Sequence, residues 1–446
     1  MSTDVPLPPT SPANDPRDYP MFKGGLSRWA WRIYFQRLTT SGRWFALISM
    51  GFVSYSGASL QLQGYVAGAY AAAVWGVAWL AMLFARPKVT AVVRSAERVC
   101  AGELLAFNVE LTNTSPRRQG ELIVLPHRLP RSMTAQPPAG VTLADLPPSS
   151  DPETHGLAIV AMSVRCAERG RFEIAGARIE SAFPFGILRS RRTVNQPTRV
   201  LVYPRFSPLA RLEIPTGRRY QPGGVALASE LGESFEYLGN REYREGDNVR
   251  DIDWRATARL GSMANPVVRE WVEEYMLRVA VVLDTHVPLV GPNFSRRDIT
   301  TRRAALERAV SVSAAVSDYM ARQDYLVDLF AAGPDLYHLT AGRSLASLDE
   351  ILDILACVRE SREPPFSVVV PAIGDMVERL STVVFVALDF DDARRAFVEE
   401  LRQKGVAVKL IVVRDGPCSL DPALLGDAVP VSLVTTEAYE RGVDTL

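Results

Sequence analysis

Two aspartates, Asp284 and Asp389, occupy the positions that most favour chemistry. Each follows an apolar run typical of a buried strand, over 277–283 and 382–388. The segments between and after these runs alternate between strand and helix patterns, which predicts a parallel sheet whose strands end along a common edge. The sequence therefore predicts two carboxylates at the edge where such sheets bind ligands, and hard divalent cations require oxygen ligands of this kind.

A second candidate is the charged stretch over residues 240–259, which reads NREYREGDNVRDIDWRATAR. Half of its residues are charged, with both signs interleaved, yet it contains a tryptophan, a tyrosine and one glycine. This composition predicts an ordered polar network rather than a disordered linker. We expect a turn over 243–247 around Gly246 and then a short helix. Charges that complement the helix dipole lie in the first turn and near the end of this helix, namely Asp251, Asp253, Arg255 and Arg259.

Other catalytic arrangements are weaker. Asp251 and Asp253 point to different helix faces and are not expected to share a substrate proton. For these two residues, capping and ion pairing is an alternative as good as a functional role. His286 has no histidine partner at recognisable spacing, and a single histidine is more often structural. The sequence thus favours a protein that is not an enzyme.

Composition excludes several classes of protein. The 446 residues carry 50 Lys and Arg against 50 Asp and Glu, so no net field attracts nucleic acid. The hydrophobic share of 47% is enough for a large core together with membrane segments. The four cysteines are far apart, which argues against a zinc site or a disulfide framework and suits a reducing compartment.

The N-terminal part predicts a membrane anchor. Residues 1–26 are rich in proline and polar residues and are expected to be disordered. Residues 27–43 predict an interfacial helix, and residues 44–86 predict a transmembrane hairpin of two apolar helices. In the second helix a stripe of small residues would allow close packing, formed by Gly64, Gly68, Ala72 and Gly76. A buried helical hairpin in a soluble protein is the alternative.

Basic residues flank the predicted hairpin on both sides, with four arginines between residues 28 and 43 and three basic residues between 86 and 94. By the positive-inside rule both ends face the cytoplasm. The bulk of the chain is therefore expected on the cytoplasmic side of the membrane.

Three regions follow the predicted anchor. Residues 88–205 alternate between apolar and polar positions, as over 104–113, and predict a β-sandwich. Residues 206–276 contain a Gly-containing linker near 221–232 and the charged stretch. Residues 277–446 predict a doubly wound α/β domain.

The charged stretch EYREGDNVRDIDWRATARLG resembles the bacterial domain of unknown function 58 family. RGRFEIAG over 169–176, AFPFGIL over 182–188 and VYP over 202–204 agree with this resemblance, which covers most of the chain after Lys88. The resemblance implies a membrane-anchored protein with a β-rich domain and a von Willebrand factor A-like domain, often working beside MoxR-type AAA ATPases. Residues expected to contact a partner or to join domains are Tyr243, Arg244, Gly246, Asp247, Arg250, Asp251, Asp253, Trp254 and Arg259.

The A-like resemblance also bears on the two strand-edge aspartates. Such domains hold a divalent metal through an Asp-x-Ser-x-Ser run with a distant Thr and Asp. Here the run begins at Asp284, and both serine positions are replaced, by His286 and Pro288. Histidine prefers softer metals and proline offers no ligand. A site at Asp284 and Asp389 would be degenerate, and the expectation is no cofactor, with Mg²⁺ as the alternative.

The sequence as a whole predicts a membrane-anchored cytoplasmic adaptor or scaffold. Its expected partner is a MoxR-type AAA ATPase, in chaperone-like assembly or envelope processes. One alternative is a metal-dependent binder or enzyme that uses Asp284 and Asp389, with Asp247 or Asp253. Another is a structural role in which the sandwich docks other envelope proteins.

Overall fold

The computed structural model describes residues 34, 37–59, 62–84, 86–183, 185–215, 237–244, 247, 249–260, 266–271, 278–287, 296–323, 325–332, 336–341, 345–361, 366–374 and 376–446. The chain divides into two compact units. The first comprises Met1–Phe206 with Leu352–Cys357, and the second comprises Ser207–Ile351 with Val358–Leu446. The disorder predicted for 1–26, most of the predicted interfacial helix, the linker near 221–232, Gly246 and Pro288 lie outside the described residues.

The first unit opens with two apolar helices, α1 (Thr40–Ser59) and α2 (Leu62–Phe84). They pack as an antiparallel hairpin, because Phe45 contacts Trp75 with ring centroids 5.6 Å apart while Ser56 contacts Gly64 at the other end. The indole Nε1–H of Trp75 donates to Ser49 Oγ at 3.3 Å, which pairs a polar group of α1 with its neighbour. Residues 40–43 belong to α1 and not to a separate interfacial helix.

Small residues bring the helices together at one end only. A Cβ added to Gly64 would lie 3.1 Å from Ser56 Oγ, whereas a Cβ on Gly76 would meet nothing within 4 Å. Of the residues in the predicted stripe, Gly64 therefore lies at a close contact between the two helices and Gly76 does not. Among the described helices, α2 alone is both long enough and apolar enough to cross a membrane. The hairpin exposes many large apolar side chains, among them Trp44, Met50, Leu62, Tyr70, Leu80 and Phe84.

The rest of this unit is a β-sandwich of two sheets. Its nine strands are β1 (Val89–Ser95), β2 (Arg98–Cys100), β3 (Leu104–Asn113), β4 (Gln119–His127), β5 (Met133–Gln136), β6 (Val141–Leu146), β7 (Leu157–Cys166), β8 (Gly170–Ser181) and β9 (Ser190–Tyr203). One sheet has the order β1-β3-β7-β5 and the other β2-β9-β8-β4-β6. The strand predicted over 104–113 is confirmed with its bounds, since alternate residues are buried.

Apolar side chains from both sheets form one core, which includes Phe107, Leu122, Val164 and Ile179. All four cysteines lie in described parts of the chain, and none forms a disulfide. Burial raises the pKa of the Cys166 thiol to about 11, so this thiol behaves as a small apolar side chain.

The second unit contains a small hairpin and a six-stranded sheet. The hairpin pairs β10 (Tyr237–Glu242) with β11 (Val267–Trp271), and between them lie a 3-10 helix (Val249–Asp251) and helix α3 (Trp254–Leu260). The larger sheet comprises β12 (Arg278–Leu283), β13 (Leu326–Ala332), β14 (Leu336–Ala341), β15 (Thr382–Ala387), β16 (Ala407–Val413) and β17 (Val431–Val434). The helices of this part of the chain are α4 (Arg296–Arg322), α5 (Leu345–Cys357), α6 (Phe366–Gly374), α7 (Asp392–Gln403) and α8 (Thr436–Arg441). The division between the two units falls within α5, whose residues Leu352–Cys357 belong to the first.

The strand order of the larger sheet is β14-β13-β12-β15-β16-β17, and only β14 is antiparallel to its neighbour. Strands β12, β15 and β16 are nearly continuous apolar runs because both faces are covered. Phe385 on one face packs with α6 and α7, and α4 lies against the same strands from the other face. The predicted alternation of parallel strands and helices is confirmed.

Candidate functional site

The predicted strand edge holds a buried ion pair. Asp284 follows β12 and is 1% exposed, and Arg394 on α7 is 3% exposed. The guanidinium of Arg394 donates from Nε and Nη2 to Asp284 Oδ2 at 2.8 and 2.6 Å. The same oxygen accepts the backbone N–H of Leu388 at 3.1 Å, and Oδ1 accepts that of His286 at 2.9 Å. Both carboxylate oxygens are therefore occupied by N–H donors.

Local structure explains why Arg394 reaches this position. Asp391 caps α7 by accepting the Arg394 backbone N–H, and its other oxygen accepts from Arg394 Nη1 at 2.5 Å. Strand β15 lies beside β12, so the start of α7 is brought against the end of β12. Burial lowers the pKa of Arg394, but the carboxylates of Asp284 and Asp391 raise it by more, and the guanidinium stays charged.

Asp389 has its own set of donors. Ser419 donates to it from both Oγ and the backbone N–H, at 2.7 and 2.9 Å, and the backbone N–H of Phe390 donates at 2.8 Å. Arg414 completes the set with a salt bridge. Burial raises the pKa of Asp389, but the Ser419 and Phe390 hydrogen bonds and the Arg414 contact outweigh it, so the net pKa is below the usual range.

A divalent cation would require oxygens with lone pairs directed at it. The oxygens of Asp284 are directed at a guanidinium and two backbone N–H groups, and those of Asp389 at Ser419, Phe390 and Arg414. Within the described parts of the chain, no group of three or more His, Cys, Asp or Glu residues could hold a metal ion. This geometry does not fit a divalent cation. Binding of a metal at Asp284 and Asp389, the alternative predicted from the sequence, is a matter for direct titration.

His286 lies beside the pair without belonging to a catalytic arrangement. Its backbone bridges to that of Ser361, and burial lowers the pKa of its imidazole while the nearby Asp284 opposes the shift. An imidazole whose pKa is lowered by burial, beside a carboxylate that is paired with an arginine, is best explained as packing.

The predicted polar network is present in the segment around β10, β11 and α3, which we call the central motif. Arg241 on β10 donates from Nη1 and Nη2 to the two oxygens of Asp247, at 2.7 and 2.8 Å. Asp247 also accepts the backbone N–H of Arg244 at 2.7 Å and donates its own to the Arg244 carbonyl at 3.0 Å. These bonds close the turn after Tyr243, and the Arg241 hydrogen bond lowers the pKa of Asp247 to about 2.

Asp253 begins helix α3. Its Oδ1 accepts the backbone N–H groups of Arg255 and Ala256, both at 3.0 Å, and Oδ2 accepts from Arg269 Nε at 3.3 Å. The Ala256 hydrogen bond and the Arg269 contact hold its pKa below the usual range. Asp253 is thus a helix cap and an ion-pair partner. Asp251, predicted in the first turn of this helix, ends the preceding 3-10 helix instead, and Arg255, predicted near the end of the helix, is its second residue.

Threonine and backbone contacts join α3 to β11. Thr257 Oγ1 donates to the Asp253 carbonyl at 2.9 Å and accepts the backbone N–H of Val267 at 3.0 Å. Ile252, Val267 and Val268 are buried beneath it. The central motif is therefore a small ordered unit whose carboxylates hold its own backbone in place.

Several described residues of the motif face outward. Trp254 is 63% exposed, and Val249 is exposed as well. Three arginines close to them in sequence also have exposed side chains, namely Arg250, Arg255 and Arg259. We call these five residues the Trp254 surface. Exposed tryptophan beside arginine is the composition of energetic centres in protein–protein interfaces.

Sequence reasoning identified the carboxylates and missed the cations that pair with them. Arg241 lies inside the charged stretch, six positions before Asp247, whereas Arg269 lies 16 positions after Asp253 and Arg394 lies 110 positions after Asp284. Strand pairing and strand order bring Arg269 and Arg394 to their carboxylates, and no local spacing signals these two pairs. Asp391 and Arg394 alone carry a local signal, since an i, i+3 spacing at a helix start favours an ion pair.

Residues 239–416 match the family described as "Protein of unknown function DUF58", which supports assignment to that family. The match includes the central motif and the strand edge, while the motifs over 169–176 and 182–188 fall outside it. No curated protein matches the chain. Among solved structures, the chain is similar to trypsin-activated alpha-2-macroglobulin from Escherichia coli. That similarity has 18% identity over 34% of this chain and 10% of the other, with a TM-score of 0.17. The chain spans about a tenth of that protein's length, and a similarity at this TM-score gives no information about the fold or the function of the chain.

Proposed function

We propose that this protein is a membrane-anchored adaptor, not an enzyme, and that it binds a MoxR-type AAA ATPase through the Trp254 surface. Its anchor is the helical hairpin, whose large exposed apolar area suits a lipid environment. The basic flanks favour a bacterial inner membrane with the bulk of the chain on the cytoplasmic side. Within this proposal the larger sheet belongs to a von Willebrand A-like domain in which Arg394, and not a metal ion, compensates the charge of Asp284.

The proposal rests on one feature of the central motif. The carboxylates of the motif are engaged by groups within it, whereas its tryptophan is exposed to solvent. Asp247 and Asp253 are committed to Arg241, Arg269 and backbone N–H groups. Trp254, directly after the capping aspartate, is left largely exposed. An exposed tryptophan beside a capping aspartate that is held by internal hydrogen bonds is positioned before binding, which favours recognition.

The strand edge supports binding over catalysis. A general base must reach a substrate proton with an available lone pair. Asp284 is buried, and both of its oxygens already accept N–H groups. Asp389 is likewise engaged by Ser419 and Arg414. These carboxylates stabilise the ends of the strands and are not placed for proton transfer.

The exposed arginines of the Trp254 surface indicate the chemistry of the partner surface. Exposed cations on the same short segment as an exposed tryptophan suit a partner surface that combines acidic groups with an apolar pocket. Such a contact is expected to weaken with salt through its rim charges, while the tryptophan supplies most of the affinity.

The test is a binding measurement between two purified proteins, the intact chain in lipid nanodiscs and a MoxR-type ATPase from the same host. Trp254→Ala is expected to weaken binding by about thirtyfold or more, the loss typical of an interface centre at ~2 kcal/mol. Leu424→Ala is the matched control, because Leu424 is also 63% exposed and lies in the same unit away from the motif. Equal affinity of both variants would exclude the Trp254 surface. No binding by the unmodified chain would exclude this ATPase as partner.

A further inference from the structure

The loop AFPFGIL, residues 182–188, connects β8 to β9 and has no role in the function proposed above. The backbone N–H of Gly186 donates to the Ala182 carbonyl at 2.8 Å, which closes the loop into one turn. Gly186 has a φ of +66°, a conformation that favours glycine. This turn leaves Phe183 and Phe185 outward, 57% and 50% exposed.

The base of the loop is held firmly. Ser181 pairs with Ser190 where the two strands end. Glu180, buried just before the loop, forms a salt bridge with Arg178, whose Nε lies 3.1 Å from Oε1, and accepts a hydrogen bond from Arg189 Nη1 at 2.7 Å. A buried carboxylate between two arginines fixes both strand ends, so the direction of the two phenylalanines is set by the sandwich.

The second half of the loop packs on the base of the helical hairpin. The backbone N–H of Thr39 donates to the Ile187 carbonyl at 3.1 Å, and that of Arg189 donates to the Arg37 carbonyl at 2.7 Å. A Cβ on Gly42 would lie 2.1 Å from the Ile187 carbonyl oxygen, so any side chain there would push the loop away. The apolar cluster at this contact consists of Leu38, Ala78, Met82, Ile187 and Leu188. Leu38, expected on an interfacial helix, is thus buried against the sandwich loop.

These contacts fix the position of the loop along the axis of α2. Ala78 and Met82 lie in the last two turns of α2, and Ala78 precedes the helix end at Phe84 by about 9 Å at 1.5 Å per residue. If α2 crosses a membrane, its last turns lie where hydrocarbon meets the headgroups. Exposed aromatic side chains are enriched at that depth.

We propose that Phe183 and Phe185 insert into the interfacial layer of the membrane at this end of the hairpin, so that the sandwich holds a second lipid contact. The proposal rests on the membrane anchoring proposed above. Two observations favour lipid over a protein partner. The loop is continuous with the hairpin through the backbone bonds at Thr39 and Arg189. Basic residues at the same end of the hairpin match anionic headgroups, namely Arg37, Arg43, Arg86 and Lys88.

Photocrosslinking in vesicles tests the proposal. The intact chain is prepared with p-benzoylphenylalanine at one position at a time and reconstituted into phosphatidylethanolamine and phosphatidylglycerol. The test variant is Phe185→p-benzoylphenylalanine. Leu80→p-benzoylphenylalanine reports whether α2 lies in lipid, and Ile159→p-benzoylphenylalanine, on an exposed apolar site of the other sheet, is the matched control. Lipid adducts are counted by intact mass spectrometry after irradiation.

We expect lipid adducts at position 185 in a yield close to that at position 80, and background yield at 159. Replacing phosphatidylglycerol with phosphatidylcholine should lower the yield at 185 and leave that at 80 unchanged. Adducts at 80 without adducts at 185 would overturn the inserted loop and leave the anchor standing. Adducts at neither position would overturn both. A crosslink from 185 to a second copy of the chain would replace lipid by a protein contact.

Discussion

Asp284 at the strand edge and Asp247 in the central motif each accept two N–H groups from a single arginine. The Asp284–Arg394 pair is buried, whereas Asp247 and Arg241 are half-buried. A buried pair is little screened by solvent and leaves neither partner accessible to a ligand. A pair near the surface contributes little net stability but fixes a turn. In one region, therefore, an aspartate–arginine pair holds the start of α7 against the end of β12 in the core. In the other, the same residue types hold a turn in a partly exposed segment.

The largest effect is expected from breaking the buried pair. Arg394→Met leaves Asp284 as an uncompensated buried charge and should destabilise the sheet by about 3–5 kcal/mol. Hydrogen–deuterium exchange of β15 and β16 in the intact protein measures this loss. Arg395→Met is the matched control, because Arg395 pairs with Glu399 at the surface of the same helix and should cost less than about 1 kcal/mol. Similar exchange in the two variants would contradict the role of the buried pair.

A smaller effect is expected inside the central motif, where neighbouring residues face opposite ways. Ile252→Ala removes a buried side chain and should cost about 2–4 kcal/mol. Trp254→Ala removes an exposed one and should change stability by less than about 0.5 kcal/mol. Exchange rates of β10 and β11 report both. If Trp254→Ala raised exchange in β10 and β11 as much as Ile252→Ala does, the loss of ATPase binding in Trp254→Ala would result from local unfolding and not from a lost contact.

Acid should selectively loosen the turn at Asp247. The pKa of this carboxyl is lowered to about 2 in the folded protein, chiefly by the Arg241 hydrogen bond. A lowered pKa means that its contribution is complete above the unfolded value near 4 and is lost as the pH falls toward 2. Thermal stability of the unmodified chain and of Asp247→Asn, measured between pH 6 and pH 2.5, should therefore converge at low pH. A difference that stays constant with pH would show that Asp247 does not act through its charge.

The smallest signal is expected from metal titration. Because the oxygens of Asp284 and Asp389 already accept hydrogen bonds, calorimetry with Mg²⁺, Mn²⁺ or Ca²⁺ on the purified chain should show no saturable heat. Asp284→Asn serves as the control. A saturable heat that disappears in this variant would favour the metal-dependent alternative over the adaptor.

Much of the architecture could be predicted from the sequence. The strands ending before Asp284 and Asp389 were found within a residue or two of their observed bounds, because strands covered on both faces are continuous apolar runs. Strands β14 and β17, at the two edges of the sheet, were missed, and so was α6, which contains Pro371. Edge strands are short and half-exposed, and a proline within a helical pattern argues against the helix.

The candidate site could be predicted only in part. The carboxylates were visible because Asp284 and Asp389 follow apolar runs and because Asp253 precedes a helical pattern. The sequence pattern also predicts a helix over 391–404, which is close to the observed span of α7, Asp392–Gln403. It did not indicate which cation each carboxylate would meet.

The sequence by itself determined the periodicities, and through them the strands, the helices and the charge-rich stretch, because these depend on neighbours a few residues apart. The tertiary structure decided that Arg394 occupies the place beside Asp284, 110 positions away in sequence, because that contact depends on the pairing of β15 with β12. It also decided that Trp254 faces outward while Ile252 is buried, since both are apolar residues in one short segment. Burial is a property of what packs against a residue, and only the folded chain supplies those partners.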